Sequence, residues 1–154
     1  MTQDFFKVPK QPMAVTLWVH PEGRVLGDLF VREQSLHHVG RETPTELMNQ
    51  PEPFLAIHRD DIDEFRFYNK SSIVRVEYDI TVDESVINEE SLDCECHLMD
   101  GSCISGSIQG NFPPDRRRLF DHMNNESFRF IPLHLDQKKV CLINKNYIIY
   151  TKSL

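Results

Sequence analysis

The chain has 154 residues, 24 acidic against 17 basic, for a net charge of −7. Hydrophobic residues make up 40%, with ten phenylalanines, which is enough for a packed core and excludes a globally disordered chain. No apolar run approaches the roughly 18 residues of a membrane-spanning helix, and the acidic balance argues against non-specific nucleic-acid binding, which rests on neutralising phosphates.

Residues 1–14 read as a flexible arm. The opening MTQDFFKVPK has no basic region, apolar stretch or cleavage site of a signal peptide. The protein is therefore expected in the cytoplasm, and Cys94, Cys96, Cys103 and Cys141 as reduced thiols. Val15, Leu17 and Val19 alternate with Thr16 and Trp18, a strand signal. His20-Pro21-Glu22-Gly23 is a turn, and Val25–Val31 is the second strand, where Gly27 predicts a bulge or sharp bend. Gln34–Glu42 reads as loop. Thr43-Pro44-Thr45-Glu46 starts a short helix: Thr43 caps, Pro44 suits the first turn, and Glu46 closes a capping box. Asn49 ends it, and Pro51 and Pro53 stop it going on. Phe54–His58 and Glu64–Tyr68 are further strands about the turn Arg59-Asp60-Asp61. From Ile73 to Val82, Val74, Val76, Tyr78 and Ile80 alternate with Arg75, Glu77 and Asp79, the cleanest half-buried strand pattern in the chain.

Asp79–Glu95 holds seven acids and no lysine or arginine, leaving 17 acids against 17 bases elsewhere. Within it, residues 83–91 are read as an acidic linker. The order then restarts. Cys94, Cys96 and Leu98 alternate as Val15, Leu17 and Val19 do; Asp100-Gly101-Ser102 is a turn; Gly106 falls where Gly27 fell. Asn111-Phe112-Pro113-Pro114 is loop. Arg118–Asn124 answers Thr43–Asn49, Phe130–Leu133 answers Phe54–Ile57, and Asn144-Lys145 answers Asn69-Lys70, with Ile148 three residues after the lysine as Ile73 is. Recurrence of a whole order of elements marks an internal repeat.

The shared pattern resembles a family of small, uncharacterised bacterial β-barrel domains, and its architecture is similar to Sm-like and SH3-like barrels with a helix inserted after the second strand. The resemblance implies a mainly-β protein of two tandem small barrels, at residues 15–82 and 92–154, each with one short helix. It does not imply a function, because fold and function separate readily. Alone, about 60 residues would be marginally stable, so packing or edge pairing between the copies is expected.

The candidate sites are few. Cys94, Cys96, His97 and Cys103 suggest zinc, but Cys94 and Cys96 share a strand face with the core, where thiols are commonly buried, and the spacing is not that of zinc knuckles. Arg116-Arg117-Arg118 is the one basic run and, with Lys145, offers a phosphate or nucleotide site; the competing reading is a solvated helix end. Asp100-Gly101-Ser102 with Gly106 resembles the cyclic-dinucleotide motif of PilZ domains, though the glycine is one residue late. Lys70 and Lys145 resemble a Lys-x-x-Ile stretch of the bacterial Sm-like RNA chaperone; the plainer reading is a turn with a soluble lysine. His37-His38 reads as solvated loop. No nucleophile, cofactor or metal motif emerges.

The function expected is a non-catalytic interaction module, an adaptor or regulator of another bacterial protein. Strand addition along Ile73, Arg75, Glu77 and Asp79 is the expected mode, with loop Gln34–Glu42 beside it. A nucleotide or RNA binder using Arg116, Arg117, Arg118 and Lys145 is the alternative. No cofactor, no metal and no membrane is expected; self-association is compatible with either reading.

Overall fold

The computed structural model describes residues 9–80, 91–109 and 118–154. Alternating apolar positions make ten strands, and every pairing between them is antiparallel. In chain order these are β1 (Lys10–Val19), β2 (Gly23–Arg32), helix α1 (Pro44–Met48), β3 (Phe54–Arg59), β4 (Glu64–Asn69), a 3-10 turn (Lys70–Ser72) and β5 (Ile73–Asp79). They continue with β6 (Ser91–Leu98), β7 (Cys103–Gln109), helix α2 (Arg118–Met123), β8 (Phe130–His134), β9 (Lys139–Asn144), a second 3-10 turn (Lys145–Tyr147) and β10 (Ile148–Ser153). The capping box of α1 forms as its residues predict: the Thr43 hydroxyl accepts from the Glu46 amide, the Glu46 carboxylate accepts from the Thr43 amide, and Asn49 is the C-cap.

Two boundaries differ from expectation. Residues 10–14 belong to β1 rather than to an arm, because Lys10–Ala14 pair with Asp28–Arg32 and Met13 packs on the core. Pro12 is tolerated because β1 is paired on one side only there, so no second ladder needs its missing N–H. Ser91 likewise opens β6. The remainder of the acidic linker lies outside the described residues, as do Thr81 and Val82 of the expected fifth strand and the Asn111–Pro114 loop.

The strands form one sheet in the order β10-β6-β7-β8-β9-β5-β1-β2-β3-β4, which does not close on itself. The expectation of two separate barrels gives way to a single mainly-β sheet that runs through both halves. Within β1–β5 the order is β5-β1-β2-β3-β4; within β6–β10 it is β10-β6-β7-β8-β9. The registers match as well. Val15 faces Gly27 as Cys94 faces Gly106; Asp28 faces His58 as Ser107 faces His134. Phe54 faces Asn69 as Phe130 faces Asn144, and Leu17 faces Val76 as Cys96 faces Thr151.

Gly27 and Gly106 show why the pattern is strict. A Cβ on Gly27 would lie 2.5 Å from the His58 carbonyl oxygen, and one on Gly106 would lie 2.6 Å from that of His134. The backbones of β2 and β3, and of β7 and β8, therefore approach where only glycine fits.

The core has two clusters, and each borrows from the other half. Phe130, Val140 and Leu142 of β8 and β9 sit in the first cluster with Leu17, Leu29 and Ile57. Val74 of β5 sits in the second with Cys94, Cys96, Ile131, Cys141 and Ile143. Strand β9 is buried on both faces from Val140 to Asn144, feeding one cluster with even-numbered and the other with odd-numbered residues. Leu142→Ala is expected to lower stability by about 2–5 kcal/mol, the range for emptying a buried leucine site. Gly106→Ala, which deletes nothing, should still destabilise by about 1–3 kcal/mol through overpacking. Urea unfolding of each variant checks both.

Candidate functional site

The residues singled out on β5 do not line an edge. Strand β5 pairs with β1 through Ile73–Glu77 and with β9 through Arg75–Asp79, so both of its ladders are filled. Strand addition along Ile73, Arg75, Glu77 and Asp79 is thereby corrected: β5 lies between β1 and β9 and is not a sheet edge. Ile73 is fully buried. Arg75 lies over the Trp18 ring at 3.8 Å and reaches Glu77 at 3.7 Å; Asp79 meets Lys139 at 3.9 Å. Alternation alone could not reveal this, because a central strand and an edge strand share the same period of two.

Of the two turn lysines, Lys70 is buried and Lys145 is partly exposed. Lys70 is 1% exposed and its ammonium donates to the carbonyls of Leu47 and Gln50, at 3.2 and 3.0 Å, closing the end of α1. Burial pushes its pKa down. Lys145 donates to the Asn125 carbonyl at 2.6 Å, and burial lowers it too. Lys145 is thus committed within the chain. Arg118 opens α2, while Arg116 and Arg117 lie outside the described residues.

What the structure does bring together is a junction. Asn144, at the end of β9, is fully buried; its amide donates to the carbonyls of Ile73 and Lys70 at 2.9 and 3.3 Å, while its oxygen accepts from Asn146 N–H at 3.0 Å. From the other side, Asn49 accepts from the Arg129 and Phe130 amides, both at 2.8 Å, and donates to the Phe130 carbonyl at 3.0 Å. Arg129 adds a bond to the Ser71 hydroxyl at 2.7 Å. The first half is thus laced to β8 and β9 by side-chain amides that copy backbone ladder bonds.

At the ends of the sheet, among the described residues, β4 is paired only with β3 and β10 only with β6. These edges carry exposed apolar side chains: Phe65 and Phe67 on β4, with Phe54 beside them on β3, and Ile149 and Tyr150 on β10. Unpaired backbone next to apolar side chains is an adhesive combination.

The Gln34–Glu42 loop covers a groove of about 590 Å³ where the halves meet, lined by His37, His38, Glu46, Tyr78, Pro132 and His134 among others. His38 is not simply solvated: its Nε2 meets Glu46 Oε1 at 2.5 Å, and Ser35 donates to the other Glu46 oxygen at 2.7 Å. Burial alone would raise the Glu46 carboxyl; hydrogen bonds from Ser35, His38 and Thr43 outweigh it and hold the group below its usual range. His134, half-buried, is pushed down by burial. The carboxylate is saturated by its own loop and helix, which makes it a brace for the loop and leaves it no proton to move.

Cys94 and Cys96 are core residues, as their strand positions suggest, so the zinc candidate loses both. His97 and Cys103 instead join Glu95 on the opposite face: His97 and Cys103 each lie 2.8 Å from Glu95 Oε1. The three ligand atoms are close enough for a metal ion. In the chain as it stands the Cys103 thiol donates to Glu95, which raises its pKa. Tyr150 stacks on His97 at 4.2 Å. A second cluster places His58 near Asp63, Asp28 and Asp60; the Asp63 hydrogen bond leads in raising its pKa, which favours imidazolium over a metal ligand. Both clusters are held together by hydrogen bonds.

Among the described residues, no helix is long and apolar enough to cross a membrane. No family model, curated protein or solved structure matches the chain.

Two outcomes follow from this geometry. Asn144→Ala should lower stability by about 2 kcal/mol or more, because it strands buried carbonyls, whereas Asn69→Ala, at the exposed counterpart, should be near neutral in dilute protein; thermal melts of the pair decide it. Cys103 is the one exposed cysteine, so iodoacetamide should modify it first, slowly, with a pH midpoint above that of an ordinary thiol. Glu95→Gln should speed the reaction and move that midpoint down, as mass spectrometry of the alkylated chain would show.

Proposed function

We propose that the chain is an internally duplicated pair of small five-stranded β modules, similar in strand order to SH3-like barrels, that serves as a non-catalytic protein-interaction module. The matched strand order and registers support the duplication. A single observation carries the functional reading: among the described residues, both ends of the sheet present backbone without a second strand beside exposed aromatic and aliphatic side chains, Phe65 and Phe67 at one end, Ile149 and Tyr150 at the other. Such edges recruit another strand, with main-chain hydrogen bonds supplying affinity and the alternate side chains specificity. The partner is a protein, and the role is that of an adaptor or regulator in the cytoplasm. The internal commitment of Lys145 and of the Glu46 and Glu95 clusters favours this over a nucleotide site or an enzyme.

Affinity capture from lysate tests the reading, with the wild-type chain, Phe67→Lys and Ile149→Lys compared at low salt and at roughly 0.5 M, where exposed charge contacts are screened. A protein retained through salt and lost from one of the edge variants is the expected result. Capture indifferent to both edges, or nucleic acid released by salt, would overturn it.

A further inference from the structure

The junction inside the chain is also a template for what belongs on its two open edges. On the proposed duplication, β4 corresponds to β9 and β10 to β5, so the free edges are second copies of the two strands that already pair as β5·β9. Their surfaces match that correspondence. Leu142 and Val140 of β9 are 0% and 2% exposed, whereas their counterparts Phe67 and Phe65 on β4 are 77% and 62% exposed. Phe130 is 0% exposed and its counterpart Phe54 is 55%. Val74 of β5 is 3% exposed and its counterpart Ile149 on β10 is 61%. Asn144 is buried against Lys70 and Ile73; Asn69, its counterpart, is exposed yet makes the same local bond, accepting from Ser71 N–H at 2.9 Å as Asn144 accepts from Asn146 N–H at 3.0 Å. Asn124, the counterpart of Asn49, is likewise exposed and holds the same helix-end bond, donating to the Phe120 carbonyl as Asn49 donates to that of Thr45. The seat exists too. Beside β10, Leu119, Met123, Ile148 and Ile149 line an open groove of about 410 Å³, in the place where α1 and β5 of the first half receive β8 and β9.

We propose that the chain assembles with further copies of itself head to tail, β10 of one copy adding to β4 of the next in the antiparallel register that β5 and β9 adopt within the chain. This rests on the edge-binding reading above and names its partner. Transferring the register places Tyr150 opposite Tyr68 of the next copy, Thr151 opposite Phe67 and Ser153 opposite Phe65. Asn69 then reaches the Lys145 and Ile148 carbonyls of its neighbour as Asn144 reaches those of Lys70 and Ile73. Lys152 comes opposite Arg66, two like charges side by side, each held by a carboxylate of its own, Glu95 at 3.6 Å and Glu64 at 3.2 Å. Two bonds of the internal junction are not repeated: Pro53 stands where Arg129 stands and has neither an N–H to give Asn124 nor a guanidinium to match the Arg129–Ser71 bond. Because β4 and β10 are different surfaces, the contact is heterologous, and its repetition closes a ring or extends a filament.

Native mass spectrometry and light scattering at tens of micromolar test this. The wild-type chain should give multiples of 18.1 kDa: one discrete mass for a ring, a mass that climbs with concentration for a filament. Phe67→Lys on β4 and Ile149→Lys on β10 should each give monomers with unchanged circular dichroism, both side chains being exposed. Mixing the two variants should give a 1:1 dimer and nothing larger, since one keeps an open β10 and the other an open β4. A monomeric wild-type chain, an assembly that survives both substitutions, or blocked chains that do not pair would overturn the proposal. A monomer whose edges still capture another protein would leave the edge-binding reading standing; capture independent of both edges would remove that reading itself.

Discussion

The structure depends on the pairing of β5 with β9. It is the one ladder that joins the two halves of the sheet, and it forces Val140–Asn144 to be buried on both faces. Beside it, the Lys70 and Ile73 carbonyls lie under the buried end of β9. Asn144 meets them with its side-chain amide, and Asn49 does the same for β8 from the opposite side. Once such groups are sealed from water, each bond is expensive to lose, so the junction has one geometry rather than a range of them.

That constraint explains the distribution of apolar residues. The two clusters are not two private cores: Phe130, Val140 and Leu142 complete the first, and Val74 completes the second. Five strands with one short helix bury too little by themselves. Sharing across β5 and β9 relieves the deficit at one edge of each half and leaves the other edge of each half open. The proposed self-association follows the same logic, since an edge left open with its apolar side chains intact asks for the cover that its twin already has.

The polar clusters tell a complementary story. Glu46, Glu95 and Lys145 sit where a functional reading might begin, yet each is engaged by its own neighbours: Ser35, His38 and Thr43; His97 and Cys103; the Asn125 carbonyl. They hold the loop, the β6–β7 hairpin and the end of α2 in place. Lys70 does the same for α1, with burial of its aliphatic stem accompanying the two carbonyl contacts.

The sequence by itself determined the elements. Period-two alternation marked Val15–Val19 and Ile73–Val82, the latter a strand through Asp79 in the structure, and the Thr43–Glu46 box started a helix that forms as written; Gly27, which reads as a bulge or bend, proves to be a close backbone contact. Those signals are local, carried by side chains whose strand or helix preference needs no knowledge of distant residues. Which strands lie at the edges was decided only in three dimensions. β5 reads as half-exposed because Arg75 and Glu77 are charged, yet it is central; β4 and β10 carry no edge signature, yet they end the sheet. Lys70 reads as a soluble turn residue and is buried. In each case the deciding partner, β9 for β5, the end of α1 for Lys70, lies 20 or more residues away, and pairing over that distance is settled by packing that leaves no trace in a short window of residues.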